Sequence, residues 1–210
     1  MKNREKILLA ARRLFNEHGF VNVRLQHISD DTIISVGNIA YHFKNKEAII
    51  INIFEELKQR QREVFIEYRH TPIFVNVDRI FQSMESLQNQ YNFFYTDIIE
   101  IKRAYPQVFE KIKQFFQWQV LLFQEIIRFN IARGAIQKVL SESEITFLSS
   151  FIIQNMNAWK SFHLIWQEQE LDGLSLSSFV WKMLIPYMTD SGKEEYSILE
   201  NQKVNLPIEK

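Results

Sequence analysis

Apolar residues recur every three or four positions along almost the whole chain. In residues 3–18, for example, Ile7, Ala11 and Leu14 fall on one face of a helix and polar residues on the other. No stretch alternates apolar and polar residues as a half-buried β-strand does. The pattern therefore predicts an all-α fold. Further helices are expected over residues 24–32, 45–70, 73–89, 91–104, 106–133, 141–169 and 175–189, together with a short helix that opens at Ser35.

Two short helices joined by a tight turn follow the first helix, as in a helix-turn-helix motif. They cover residues 24–32 and the segment that opens at Ser35. Residues 45–70 then form one long helix whose middle, Lys58–Glu63, is polar on every side, as expected of a connector between two domains. The predicted divisions are a helix-turn-helix head, a helical body and a polar C-terminal tail, over residues 1–47, 48–190 and 191–210.

The strongest local signals lie between Ile34 and Glu47. Ser35 is a natural N-cap, so the free backbone N–H groups of a short helix face outward there. Gly37 lies inside that helix, where glycine lowers stability unless a partner must approach the backbone closely. Asn45 caps the next helix, and Glu47 lies in its first turn. This combination indicates a recognition helix flanked by groups that bind phosphates.

Charge and composition narrow the possible classes of protein. The net charge is zero, but the first 47 residues hold eight cationic and five acidic residues, an excess that suits a polyanionic partner. The chain has no cysteine, which excludes disulfides and thiolate metal sites. No apolar run reaches the roughly 18 residues of a membrane span, and the N-terminus lacks the apolar core of a signal peptide. We therefore expect a cytoplasmic protein that does not enter the membrane.

The head also carries a family signature. It consists of Ile28, Ser35, Gly37-Asn38-Ile39, Tyr41-His42-Phe43, Lys46-Glu47 and a leading helix that ends in Phe15 and Gly19. On these residues the N-terminal third resembles the TetR family of one-component transcriptional regulators. The order and lengths of the later helices are also similar to the family's ligand-binding and dimerisation body. Two positions depart from the pattern: Ile33 stands where the family commonly has the turn glycine, and Ala40 where many members have a tyrosine.

The resemblance implies a homodimer whose two heads each read half of a near-palindromic operator in double-stranded DNA. A physical argument agrees, because one short recognition helix makes few base contacts and a two-fold dimer doubles them. We assign base-edge contacts to Val36, Asn38 and Gln26, and close approach of the DNA to Gly37. Phosphate contacts are assigned to Arg24, Ser35, Tyr41, His42, Lys44 and Lys46.

Each of these residues also has an ordinary structural interpretation. Taken alone, His42 would be a surface histidine and Lys46 a solvated lysine, and the surrounding signature is what favours phosphate contacts. Phe43 is interpreted as a core residue that holds the recognition helix against its neighbours. Arg12 and Arg13 are interpreted as part of a solvated helix face.

The body contains more aromatic residues than a plain helical bundle needs. Bulky aromatic side chains line apolar ligand sites well, so we expect an apolar or aromatic small-molecule effector. Asn155, Trp159 and His163 lie at i, i+4 and i+8 on one helix face and would supply its polar contacts. A place in the core or in a dimer interface is the alternative for each residue. The effector-binding set is Phe94, Phe115, Trp118, Phe123, Asn155, Trp159 and His163.

The last two predicted helices would form a four-helix dimer interface in this family. They supply more apolar surface than a monomer would leave exposed. The residues assigned to this interface are Phe147, Phe151, Phe162, Phe179, Leu184 and Tyr187.

Together these features predict a DNA-binding transcriptional regulator, a repressor released from its operator by a small-molecule effector. The alternative is a DNA-binding regulator whose body docks a protein partner; a closed aromatic cavity would favour the effector and a solid core the partner. Catalysis has little support, since the chain lacks cysteine, a glycine-rich phosphate loop and a His/Glu cluster at metal-ligand spacing. We therefore expect no enzymatic activity, no catalytic residue, no cofactor and no metal.

Overall fold

A computed structural model describes residues 2–68, 70–166 and 174–204 of the chain. Within these ranges the backbone is helical nearly throughout, and its one β-bridge joins Ile136 to Met188. The predicted all-α fold is confirmed. The helices are α1 (Asn3–His18), α2 (Leu25–Thr32), α3 (Val36–His42), α4 (Lys46–Tyr68), α5 (Phe74–Gln90), α6 (Phe93–Thr96), α7 (Ile98–Ala104), α8 (Pro106–Ala132), α9 (Glu142–Trp166), α10 (Leu176–Leu184) and α11 (Asp190–Val204), with a 3-10 helix at Ile185–Tyr187.

The chain divides into two compact units. The first contains α1–α3, α4 as far as Arg62, and the segment Leu87–Phe115. The second contains Glu63–Ser86 and the described residues from Phe116 onwards. Each unit has its own apolar core, so the helix-turn-helix motif is supported by later helices of the chain as well as by its own three.

Aromatic side chains form the centre of the first unit. Phe15 of α1 meets Phe93 edge to face, with 5.2 Å between ring centroids. Phe54 of α4 contacts Phe94 at 5.5 Å and Phe115 at 6.1 Å. All five rings are at most 4% exposed. Burying each side chain contributes about 2–3 kcal/mol, so this cluster is a main source of the unit's stability.

The sequence predicts one helix over residues 91–104, but the structure has two, α6 and α7, which meet at Asp97. The Asp97 carboxylate accepts hydrogen bonds from the Phe20 backbone N–H at 3.0 Å and from the Thr96 hydroxyl at 3.0 Å. Nearby, the Asn16 side chain donates to Gln90 O at 2.9 Å and accepts from the Phe93 N–H at 3.1 Å. These bonds attach the segment to the end of α1, and the helix breaks where Asp97 turns toward that end.

The second unit has a buried carboxylate in its core. Asp78 of α5 is 3% exposed and accepts hydrogen bonds from the Ser177 hydroxyl and from Trp181 Nε1, the latter at 2.7 Å. Glu85, also on α5, accepts the Leu176 N–H at 3.1 Å. Because a helix N-terminus favours negative charge, the two carboxylates hold α10 in place through its first turns.

Residues 191–210 are predicted to be a tail, yet residues 190–204 form α11. Gly192 explains how this helix packs, because a Cβ there would overlap the carbonyl oxygen of Ala135. Glu195 accepts hydrogen bonds from the Arg133 guanidinium at 2.6 Å and from the Phe74 N–H at 3.0 Å. These partners are distant in sequence, so local pattern gives no sign of them. The remaining tail residues, 205–210, lie outside the described residues.

Candidate nucleic-acid interface

The helix α3 is a short element that exposes most of its surface. Ser35 is its N-cap, and the Ser35 hydroxyl accepts the Asn38 N–H at 3.2 Å. Ile39 is the one buried residue of the helix. Phe43 ends the helix, donating its N–H to Ile39 O at 2.8 Å, and is 3% exposed. The predicted N-cap and the predicted core role of Phe43 are both confirmed.

The residues assigned to DNA contacts on α3 lie on its open side. Gly37 and Asn38 are exposed, Val36 and His42 are half-buried, and Tyr41 is 85% exposed. The Tyr41 ring meets the His42 ring edge to face at 5.3 Å. An exposed tyrosine at the end of a helix presents both a hydroxyl donor and an aromatic face, which suits contact with a sugar–phosphate backbone.

Gly37 has no structural role that the described residues reveal. A Cβ at this position would meet nothing within 4 Å. Alanine in a helix interior is about 0.5–1 kcal/mol more favourable than glycine, so the folded chain alone gives no reason for glycine here. Close approach of another molecule to this backbone would supply one.

Ile33 makes the turn between α2 and α3 in a left-handed conformation, with φ 58° and ψ 31°. It is the one non-glycine residue with positive φ in the described ranges, and it is 94% exposed. A β-branched side chain in this region is strained by about 1–2 kcal/mol. The corner is therefore formed at the position where the sequence departs from the family's glycine, and the neighbouring buried residues Ile28 and Ile34 hold it closed.

Three further assigned residues lie exposed on either side of α3. Arg24 is the N-cap of α2, where its N–H donates to His27 Nδ1 at 3.3 Å. Gln26, in the first turn of α2, donates to Asp30 at 2.6 Å. Lys44 lies in the turn between α3 and α4. The structure thus leaves these three side chains exposed, as it does Asn38 and Tyr41 of α3.

Lys46 is placed differently from the other assigned residues. Its ammonium group donates to the backbone carbonyls of Phe20 and Val23, at 2.7 Å for Val23, and approaches Val21 O at 3.5 Å. Burial lowers the pKa of the Lys46 ammonium. In this structure the group binds the loop between α1 and α2, and the residue is half-buried.

Two arginines of α1 are paired with carboxylates of the protein. Arg13 binds Glu17 at 3.0 Å and also pairs with Asp31. Arg12 approaches Glu56 at 3.5 Å and lies 4.7 Å from the centre of the Tyr91 ring. Since both arginines are paired, they add little free positive charge to the α3 surface.

The predicted effector-binding set is divided among separate places in the structure. Phe94 and Phe115 belong to the aromatic core of the first unit. In the second unit, Phe123 is 1% exposed and packs on Phe81, and Trp118 meets the Phe65 ring at 5.7 Å. These four residues are held by neighbouring rings, which accounts for their large apolar side chains without a ligand.

The remaining members of that set line one pocket in the second unit. The pocket lies between α9 and α10 and has a volume of about 500 Å³. Trp159 stacks on His163, with 5.2 Å between ring centroids, and meets Phe179 in a tilted arrangement at 4.9 Å, which gives the pocket an aromatic wall. The residues that line it are Asn155, Trp159, Phe162, His163, Leu174, Phe179, Lys182 and Met183. Lys182, which was not among the predicted residues, adds a cation.

The predicted dimer residues also differ from one another. On α9, Phe147 is 69% exposed, Phe151 is 43% exposed and Phe162 is 55% exposed; Ile165, not predicted, is 68% exposed. Phe147 and Phe151 stack nearly parallel, with 6.2 Å between their centroids. Of the other three, Phe179 and Tyr187 are half-buried, and Leu184 is 4% exposed in the core of its own unit. The predicted dimer residues of α9 are hence more exposed than Phe179, Leu184 and Tyr187.

A second groove, of about 720 Å³, lies where the end of α4 meets α5 and α8. Its apolar lining includes Phe65, Ile80 and Phe129. Arg128 at its edge is paired with Glu125 and Glu142, at 2.6 Å for Glu142. The sequence analysis did not identify this groove, because its walls come from three separated stretches.

Neither metal nor membrane chemistry is indicated by the described part of the chain. No three His, Asp or Glu residues within it lie close enough together to bind a metal ion. None of the helices described there is both long and apolar enough to span a bilayer.

Comparison with known proteins identifies two matching family models. The model described as bacterial regulatory proteins of the tetR family matches residues 7–53. The model described as a bacterial transcriptional repressor, also named TetR, matches residues 66–196, which is more than half of the chain. No curated protein sequence matches the chain.

Solved structures show the same fold. A TetR-family transcriptional regulator from Marinobacter aquaeolei VT8 has 25% sequence identity and a TM-score of 0.82, covering 96% of this chain and 98% of that one. The ketosteroid transcriptional regulator KstR2 of Mycobacterium tuberculosis has 13% identity and a TM-score of 0.66, with coverages of 90% and 96%. SmeT in complex with triclosan has 17% identity and a TM-score of 0.63, with coverages of 90% and 93%. The latter two likenesses show the fold alone.

Proposed function

The chain belongs to the TetR family of transcriptional regulators, and on this premise we propose that it is a homodimeric repressor released from a near-palindromic operator by a small-molecule effector. The observation that carries the proposal is the open face of α3. This helix buries Ile39 and exposes Asn38 and Tyr41. Beyond its own helix, no described residue lies within 4 Å of the position that a Cβ of residue 37 would take. A helix held by one buried side chain is suited to entering a groove of DNA.

In the proposed complex, Val36, Asn38 and Gln26 contact base edges. Asn38 is the main reader, since its amide offers a donor and an acceptor together. Phosphate contacts come from the exposed or half-buried groups around α3, namely Arg24, Ser35, Tyr41, His42 and Lys44. Gly37 allows the backbone of α3 to approach the DNA.

Two copies pair through the α9 stripe of Phe147, Phe151, Phe162 and Ile165. Exposed apolar side chains of this size are costly to leave in water, whereas a second copy would cover them. Pairing also gives the protein two heads related by a two-fold axis, which a near-palindromic operator requires. Phe179 and Tyr187 on the adjoining α10 segment complete the proposed interface.

The effector is an apolar or aromatic molecule bound in the pocket between α9 and α10. Trp159 and Phe179 provide flat apolar walls, while His163, Asn155 and Lys182 supply polar contacts. Two solved structures of the same fold are the ketosteroid transcriptional regulator KstR2 and a complex of SmeT with triclosan, an apolar aromatic molecule. Because Phe162 belongs to both the pocket and the α9 stripe, effector binding and pairing would use adjoining surfaces.

Release requires that the effector bind one conformer of the dimer more tightly than another. Operator affinity then falls by the ratio of the two effector affinities and by no more than that ratio. The helix α4 continues from the helix-turn-helix unit into the second unit, so it is the element through which we propose that the change is transmitted.

Capture of fragmented genomic DNA by the purified full-length protein tests the proposed function. Recovered fragments should share a discrete site in the form of an inverted repeat. The double variant Asn38→Ala with Tyr41→Ala is the control and should recover no such site. Uniform recovery of fragments by the wild-type protein would contradict the proposal.

A thermal-shift screen of apolar aromatic compounds tests the effector. A true effector should raise the melting temperature and release the captured operator. Trp159→Ala should abolish both effects, while Phe65→Ala, in the groove beside α8, should leave them intact. If release instead requires a co-purified protein, the body docks a partner and the effector proposal is wrong.

A further inference from the structure

Lys46 is the first residue of α4, and its side chain crosses to the loop that joins α1 to α2. An ammonium group has three N–H donors and no acceptor. Two of them bond to the carbonyls of Phe20 and Val23, and Val21 O lies within reach of the third at 3.5 Å. The hydrogen-bonding capacity of the group is therefore used within the protein.

The ammonium group is half-buried and lies beside two buried aromatic rings. Its nitrogen lies 5.2 Å from the centre of the Phe20 ring and 5.8 Å from that of Phe15, and both rings are at most 1% exposed. Ring faces and carbonyl dipoles both attract a cation. The same burial lowers the pKa of Lys46.

The position of Lys46 is otherwise an unfavourable one for a lysine. Its cation stands in the first turn of α4, where the helix dipole repels positive charge. Glu47 beside it offsets part of that repulsion. A half-buried cation close to a helix N-terminus needs compensation, and the carbonyls of Phe20 and Val23 provide it.

Those carbonyls belong to the loop that places the helix-turn-helix motif. Phe20 and Val23 are each 1% exposed, and Val23 directly precedes Arg24, the N-cap of α2. Lys46 therefore joins the start of α4 to the start of α2. Movement of α4 at this point would pull on α2 and, through the Ile33 corner, on α3.

On the basis of the proposed DNA-binding function, we propose that Lys46 is a positioning residue, which fixes α2 and α3 against α4 and does not bind a DNA phosphate. Lys44 provides the matched comparison. It lies two residues earlier, is exposed, and makes no hydrogen bond or ion pair with the described residues. One lysine is thus available to DNA and the other is occupied.

Salt dependence separates the two roles. A lost phosphate contact reduces the slope of log K against log[salt] by about 0.9, so a variant that loses one per head reduces it by about 1.8 in the dimer. Lys44→Ala should show that reduction. Lys46→Met keeps an apolar stem against the two rings and removes the donors. It should leave the slope unchanged and lower the ratio of operator to non-operator affinity at least tenfold, measured well below its melting temperature.

If Lys46 merely stabilises the head, Lys46→Met would lower the melting temperature and leave the ratio of operator to non-operator affinity unchanged. Lys46→Gln gives a further distinction, because its amide retains two donors for the carbonyls without the charge. It should recover most of the ratio lost in Lys46→Met. A slope that falls by about 1.8 in either Lys46 variant, or an unchanged ratio in Lys46→Met, would overturn the proposal.

Acylation of the wild-type protein by acetic anhydride, read by mass spectrometry, needs no variant to fold. Lys46 should react much more slowly than Lys44 in the DNA-free protein, and DNA should protect Lys44 alone. Rapid reaction of free Lys46 that DNA suppresses would overturn the positioning role. The DNA-free comparison is informative even if the chain recognises no operator, so failure of the proposed function is distinguishable from failure of this proposal.

Discussion

The surfaces of α3 and α9 are both open to solvent, but they are open for different reasons. The helix α3 exposes glycine, asparagine and tyrosine and buries Ile39 alone, so little apolar area is left uncovered. The helix α9 exposes Phe147, Phe162 and Ile165, each at least 55% accessible, which is the composition of an interior. A surface that exposes polar side chains and little apolar area is typical of one that meets a charged, hydrated partner. Apolar exposure is typical of a surface that is covered most of the time.

The comparison shows how the proposed tasks are separated. Local signals build the α3 surface: an N-cap, a corner and a short helix contained within about a dozen residues. The α9 surface depends on distant anchors, because Asp78 and Glu85 of α5 hold α10 beside it. A change in one surface should therefore leave the other largely intact, and this expectation can be tested in order of effect.

The largest effect should come from charging the α9 stripe. Phe147→Glu combined with Phe151→Glu places two carboxylates in an interface core, where buried aromatic residues contribute about 2 kcal/mol or more each. The dissociation constant of the dimer should rise at least about 100-fold, and the affinity for a specific operator should fall with it. Sedimentation velocity measures the first effect and fluorescence anisotropy the second. Leu121→Glu, which charges an equally exposed leucine on α8, is the control and should remain dimeric. A double variant that still sediments as a dimer would show that α9 is not the interface.

The next effect should come from the buried anchor of α10. Asp78→Ala leaves the Trp181 N–H and the Ser177 hydroxyl without an acceptor, which should lower the free energy of unfolding by about 3 kcal/mol. Urea denaturation followed by tryptophan fluorescence measures this loss. Asp190→Asn removes a fully exposed carboxylate of α11 and should change it by less than about 0.5 kcal/mol. Equal losses in the two variants would show that Asp78 does not anchor the helix.

These two regions also show what the sequence could and could not predict. Ser35 and Phe43 behave as expected, because capping and burial on a short helix depend on neighbours within a few residues. The break at Asp97 was not predicted, since its carboxylate binds an N–H 77 residues away. The helix α11 was not predicted for the same reason, because Glu195 pairs with Arg133, which is 62 residues away. Aromatic composition indicated a pocket but could not separate ring-packed Phe94 and Phe123 from pocket-lining Trp159.

On the α3 surface, removal of the base-contacting side chain of Asn38 should change sequence specificity more than overall affinity for DNA. Asn38→Ala should cost about 1–3 kcal/mol at particular base pairs and leave non-operator binding nearly unchanged. Anisotropy against a panel of single-base operator variants measures this. Lys44→Ala should weaken binding to every sequence in the panel by a similar factor. A uniform loss in Asn38→Ala would instead assign Asn38 to the backbone.

The smallest effect concerns Gly37 and has opposite signs for stability and for binding. Gly37→Ala should raise the free energy of unfolding by about 0.5–1 kcal/mol, because a Cβ there meets no neighbour, and should weaken operator binding. Gly134 offers the matched control, since its Cβ would also be free of neighbours but its φ is 79°. Alanine at 134 should be destabilising without affecting the operator. Unchanged operator affinity in Gly37→Ala would remove the argument for close approach.

The proposed function requires that two identical heads, paired through the α9 surfaces, read two halves of one operator. Inserting about five base pairs between the half-sites turns one half to the opposite face of the duplex. Affinity for this DNA should fall at least about 100-fold, toward the level of non-operator DNA. Affinity that is unchanged by the half-turn insertion would contradict it.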